Sequence, residues 1–124
     1  MLYLLAVIAL QGAEMRPMIE CSEHMMDDRA LRTCLEDLLD AAEDALDDAE
    51  AAARAEAAEI DLDMAGIADA GGQLDRAQTA WIVYRDAECE RRAGLLLIGE
   101  DGEAVSLDCR IALTRARSRE LAEQ

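Results

Sequence analysis

Apolar positions along the chain follow helical steps in three stretches, and glycines separate the stretches. Met1–Leu10 is almost wholly apolar and gives way at Gln11-Gly12-Ala13 to polar sequence. Glu14–Asp28 contains Pro17 and little periodicity, so it reads as an irregular lead-in. Leu31, Cys34, Leu35, Leu38, Ala42, Ala45, Leu46 and Ala49 then recur at three- and four-residue steps, the stripe of an amphipathic helix. Asp27 or Asp28 is placed to cap it. The stripe fades into alanine-rich sequence through Ile60, and Gly66 with Gly71-Gly72 marks a loop. A central helix is expected from about Gln73 to Ala93, with Leu74, Ala77, Gln78, Trp81, Arg85 and Glu88 on one face. Gly94–Gly102 is a connection with an apolar middle, Leu95–Ile98. In the last helix Leu107, Ile111, Thr114 and Leu121 face inward, and Arg110, Arg115, Arg117 and Arg119 face mostly outward. No strand alternation appears. The expected fold is all-α, a small bundle of three main helices, the first long and acidic.

Composition sharpens this picture. The chain has 124 residues, enough for one domain, and its aromatic residues are one Trp and two Tyr. A core built from Leu, Ala, Met, Ile and Val alone is thin, and covalent cross-links would strengthen it. The four cysteines can pair in three ways. Cys89, near the end of the central helix, and Cys109, near the start of the last, stand level across a helical hairpin. Cys21 and Cys34 would lie about 20 Å apart in one continuous helix, whereas a disulfide tolerates less than about 7 Å between Cα atoms. That pair therefore needs the chain to turn back between Ser22 and Asp28. Cys21–Cys34 and Cys89–Cys109 is the pairing expected. Zinc is the competing use of the four thiols and His24, but no Cys-x-x-Cys knuckle exists.

The formal charge is −16, from 28 acidic residues against 12 basic ones, all of them arginine. This sign excludes binding to a nucleic-acid backbone and disfavours an anionic membrane surface. Its electrostatic complement is a basic protein, although acidity also serves solubility. Thirteen acids and the single Arg54 lie between Leu35 and Ala70, the pattern of a solvated helix face. The apolar start is too short to span a bilayer and fits a signal peptide, residues 1–13, followed by one domain, 14–124. Glu20 just before Cys21 does not suit a lipid-attachment box, so no stable membrane anchor is expected.

Chemistry-bearing motifs are few. Asp61-Leu62-Asp63-Met64-Ala65-Gly66 imitates a calcium loop but has Ala65 and Gly72 where ligands are required, so it reads as a loop with two solvated aspartates. His24 has no triad around it, and no carboxylate pair is marked by an apolar pocket. Neither catalysis nor a cofactor is expected. Trp81 reads as core packing, with an interface anchor as its other reading. Arg85, one turn on, can lie against the indole and pair with a first-helix carboxylate such as Glu43 or Asp44. Leu95–Ile98 either tucks over the helix ends or forms an apolar finger beside Glu100, Asp101 and Glu103. In the second case Leu96, Leu97 and those three acids would meet a partner.

Ala77-Gln78-x-x-Trp81-x-x-x-Arg85-Asp86-x-x-Cys89, followed by Cys109 and Leu113-Thr114-x-x-Arg117-x-x-x-Leu121, resembles the lysozyme inhibitor LprI-like N-terminal domain family. Cys21 and Cys34 fall where the first two cysteines of that family would. The first helix departs from the family pattern, with Glu43, Leu46-Asp47 and Glu50 in place of an Asp, a Leu-Asn pair and a Tyr. The resemblance implies an exported helical domain with two disulfides, periplasmic or secreted, in which Gln78, Trp81, Arg85, Asp86, Thr114 and Arg117 are motif residues. It also implies inhibition of lysozyme-like wall hydrolases. Lysozymes are commonly basic, so the acidic chain would be steered toward them. The alternative is a non-inhibitory envelope interaction or stress protein that binds another basic partner.

Overall fold

The computed structural model describes residues 16–96 and 102–123. They form a short helix α1 (Pro17–Glu20), a 3-10 turn (Ser22–His24), and three main helices, α2 (Asp28–Asp63), α3 (Ala70–Gly94) and α4 (Gly102–Ala122). There is no strand among the described residues. The bundle runs up, down, up: α2 and α4 are parallel and packed along each other, and α3 lies antiparallel across both. Residues 1–13, read as a signal peptide, lie outside the described residues.

α2 is 36 residues long, about 54 Å at the α-helical rise. No Gly or Pro interrupts it, and Ala, Leu, Glu and Arg dominate it. Asp27 is its cap; the carboxylate accepts from the N–H groups of Arg29 and Ala30, each at 3.1 Å. Of the predicted stripe, Leu31, Leu35, Ala42 and Leu46 are buried, while Ala45 is exposed. The helix runs on through the alanine-rich sequence to Ile60. It continues three residues further, with Ala53 and Ala57 buried, because alanines let neighbouring helices approach closely.

Two corrections follow at the α2–α3 joint. Asp61 and Asp63 belong to the last turn of α2 and not to a loop, and Gly71 and Gly72 belong to the first turn of α3. Asp61 reaches across the joint, where its two carboxylate oxygens accept from Ala70 N–H at 2.7 Å and Gly71 N–H at 3.0 Å. Asp69 accepts from Gly72 N–H at 3.2 Å. Three of the four orphan donors of α3 are thereby satisfied by two carboxylates at the positive end of the helix. Close approach explains the glycine at 72, where a Cβ would stand 2.5 Å from the Asp69 oxygens. Gly66, with φ +81°, provides the left-handed residue of the connection.

The lead-in is likewise more ordered than its sequence indicates. Pro17 opens α1, and Cys21 is fully buried. The Cys21–Cys34 disulfide, with Cα atoms 6.0 Å apart, holds this segment on α2. Met18 N–H donates to Asp108 of α4 at 2.7 Å, and Arg115 pairs with Glu20. Cys89–Cys109, with Cα atoms 5.5 Å apart, joins α3 to α4. Both predicted pairings are present, and they leave no free cysteine. Each closes a short loop, which in the chain-entropy account contributes about 3 kcal/mol.

Asp61→Ala removes a cap that bridges two helices. It should lower unfolding free energy by about 0.5–2 kcal/mol, measured by urea denaturation. An unchanged midpoint would show that the joint does not depend on this carboxylate.

Candidate functional site

The apolar interior is divided in two. One cluster gathers Cys21, Leu31, Leu35, Ala42, Ala104 and Ile111. The other gathers Leu46, Ala53 and Leu121, with Leu74 and Trp81 packed against them. A polar layer lies between, supplied by all three main helices and centred on Arg85.

The Arg85 side chain is 12 % exposed. Its Cζ stands 5.3 Å from the centroid of the Trp81 ring, so the guanidinium charge lies over the negative face of the indole. Nη1 donates to Glu43 of α2 at 3.5 Å and to the Thr114 hydroxyl of α4 at 3.3 Å. Nε donates to Asp86 at 3.0 Å, and Asp86 also accepts from Arg110 of α4 at 2.8 Å. Thr114 is wholly buried, so without this donor its hydroxyl would face an apolar interior. About two turns before Arg85, Gln78 is 5 % exposed and its Oε1 accepts from Arg117 Nε at 2.6 Å. Arg117 therefore turns inward, contrary to the outward orientation expected for it. Its remaining charge meets Glu120 at 2.8 Å.

The six residues that the resemblance marks as its motif thus lie together: Gln78, Trp81, Arg85 and Asp86 from α3, Thr114 and Arg117 from α4. Trp81 is half-buried in the second cluster. Beside it opens a shallow groove of about 200 Å³ lined by Glu43, Asp47, Glu50, Trp81 and Ile82. The layer holds helices in register and presents carboxylates outward; it contains no thiol, histidine or hydroxyl–base pair suited to nucleophilic chemistry. His24 sits away from it on the 3-10 turn, 3.4 Å from Glu23. At the foot of α3, Arg91 and Arg92 close on Glu88 and hold its carboxyl down at about 2, below its ordinary 4.5.

The α3–α4 connection is described only in part. Leu95 is 68 % exposed and Leu96 is half-buried, while Leu97, Glu100 and Asp101 lie outside the described residues, as does Ile98 of the expected apolar finger. Glu103 is in the first turn of α4 and pairs with Arg32 at 2.8 Å. Sequence reasoning missed Asp108, which is buried, receives Met18 N–H and lies 3.6 Å from Arg16. No local spacing marks a partner 90 residues away. It also missed Asp61 and Asp69, although an Asp directly before Ala70-Gly71-Gly72 is a readable cap signal.

Arg85→Ala strips the layer of the donor to Thr114 and Glu43, and should cost about 1–3 kcal/mol. A double-mutant cycle with Glu43→Ala, read by urea unfolding, should return a favourable coupling. Strict additivity would contradict the pairing.

Among the described residues no helix is long and apolar enough to cross a membrane, and no three His, Cys, Asp or Glu side chains gather in a way that could hold a metal ion. The sequence model of the family described as lysozyme inhibitor LprI matches residues 21–121, most of the chain. The chain belongs to this family. Comparisons with curated proteins and with solved structures give no match.

Proposed function

We propose that this member of the lysozyme inhibitor LprI family is an extracytoplasmic binding protein that inhibits lysozyme-like cell-wall hydrolases. The family match over residues 21–121 is the observation that carries the reading. The two disulfides support it, because such bonds persist in oxidising compartments. So does the charge of −16, which would speed encounter with a basic hydrolase. In this reading residues 1–13 are the export signal, 14–124 the working domain, and the periplasm or the extracellular space its location. The acids Glu100 and Asp101, with Leu96 and Leu97, are offered to the partner from the α3–α4 connection. Glu103 is less available, being tied to Arg32.

A second reading keeps the basic partner and drops inhibition. It is favoured by the solvated acids of α2, where Asp40, Asp44, Asp47 and Asp48 enter no ion pair among the described residues. Clearing of a bacterial suspension by lysozyme separates the two. The protein should slow clearing at equimolar ratio and more so in molar excess, with the effect weakening as ionic strength rises. Undiminished clearing in excess protein would discard inhibition. Retention on a lysozyme column at low salt would then leave the second reading.

A further inference from the structure

α3 is held from one side. Gln78, Trp81, Arg85 and Cys89 mark the face turned to α2 and α4. On the opposite face Arg76, Ala80, Val83, Ala87 and Glu90 are all exposed, and none of the five belongs to either apolar cluster. They recur at alternating four- and three-residue steps, the spacing of a seam along which two helices pair. Val83, 66 % exposed, stands at the centre, with Tyr84, 56 % exposed, beside it. Ala80 and Ala87 on either side of Val83 leave room for a second backbone to come close.

The charges at the two ends of the seam complement each other. Arg76 lies seven residues before Val83 and Glu90 seven residues after it. Two such helices laid antiparallel about Val83 therefore bring each Arg76 level with the other copy's Glu90, twice over by symmetry. Glu90 enters no ion pair among the described residues. Arg76 meets Asp69 at 3.3 Å, and both side chains are mostly in solvent, so that contact is readily exchanged.

The formal charge of −16 does not forbid this pairing, because it is unevenly spread. Between Ala70 and Gly94 four arginines balance four acids, whereas Asp28–Asp63 carries thirteen acids against three arginines. With the outer faces of α3 in contact, three interhelix spacings of about 8–10 Å each separate the two α2 helices. That exceeds a Debye length of about 8 Å at physiological salt, so their repulsion is largely screened.

We infer that the outer face of α3 is a self-association surface, on which two copies pair antiparallel about a two-fold axis at Val83 with Arg76 of each facing Glu90 of the other. One helix pair covers less than the roughly 800 Å² per partner of a standard interface, so the dimer is weak, with a dissociation constant on the order of 10–100 µM. The pairing stands whether or not the protein inhibits a hydrolase.

Sedimentation velocity of the full, disulfide-bonded chain from about 10 µM to about 1 mM, at physiological salt, should show a reversible monomer–dimer equilibrium. Arg76→Glu and Glu90→Arg should each weaken it about tenfold or more, since like charges then meet at both ends of the seam. The two substitutions together should restore it. Glu90→Arg separates register from overall charge: it makes the chain less acidic, so repulsion alone would predict a tighter dimer. Glu59→Arg makes the same change of charge at an exposed position of α2 and should leave the dimer as strong or stronger. Helical circular dichroism should be unchanged in every variant, because each site is exposed. A monomer throughout the concentration range, single variants no weaker than the parent, or a double variant that is not restored would overturn the pairing.

Discussion

The bond between Cys89 and Cys109 constrains the molecule most, because α3 has little else to bury. Along its 25 residues only Gln78 and Cys89 are fully enclosed. Trp81 is half-covered, and Ile82, Val83 and Tyr84 stand largely in solvent. A helix that surrenders so little apolar surface gains little from the hydrophobic effect, at about 25 cal/mol per Å². Its attachment falls to a covalent link near its foot, the Arg85 layer at its middle and the Asp61 cap at its head. α2 and α4 differ in kind. Leu31, Leu35, Ala42, Ala104 and Ile111 interlock between them, so that pair coheres by ordinary burial.

This division of labour organises the polar layer. Arg85 touches all three helices through Glu43, Asp86 and Thr114 while its charge rests on Trp81. Buried or half-buried ion pairs add little net stability, yet their geometry admits few alternatives. A helix with a weak apolar face can slide along its neighbours; one whose arginine must meet the Thr114 hydroxyl at 3.3 Å and the Glu43 carboxylate at 3.5 Å has one register. The same weakness in apolar cover leaves Ile60, Leu62, Met64 and Ile67 exposed at the hairpin tip.

Much of this was legible from the residues. The stripe from Leu31 to Leu46 and the Asp27 cap foretold α2, and the spacing of Trp81 and Arg85 foretold their contact. The cysteine pairing followed from the reach of a disulfide. What escaped has a common physical cause: it depends on atoms distant in sequence or on weak signals. Ala53 and Ala57 are buried, but an alanine stripe in an alanine-rich run carries no contrast, so the apolar face of α2 faded there. Asp61 and Asp63 looked like loop residues because a near-miss calcium pattern and Gly66 surround them. Asp61 acquires its role only when α3 arrives. Arg117 looked solvent-facing because arginine usually is, and its burial follows from Gln78 on another helix. Asp108 meets Met18 N–H across 90 residues.

Hydrogen exchange of backbone amides after substitution of Cys89 and Cys109 by serine tests most directly whether α3 is held by sulfur and polar contacts more than by burial. The account predicts that amides of Ala70–Gly94 lose protection by a large factor, while those around Leu35 and Ile111 keep theirs. Protection of α3 that survives loss of the disulfide, or a loss shared evenly by all three helices, would contradict it.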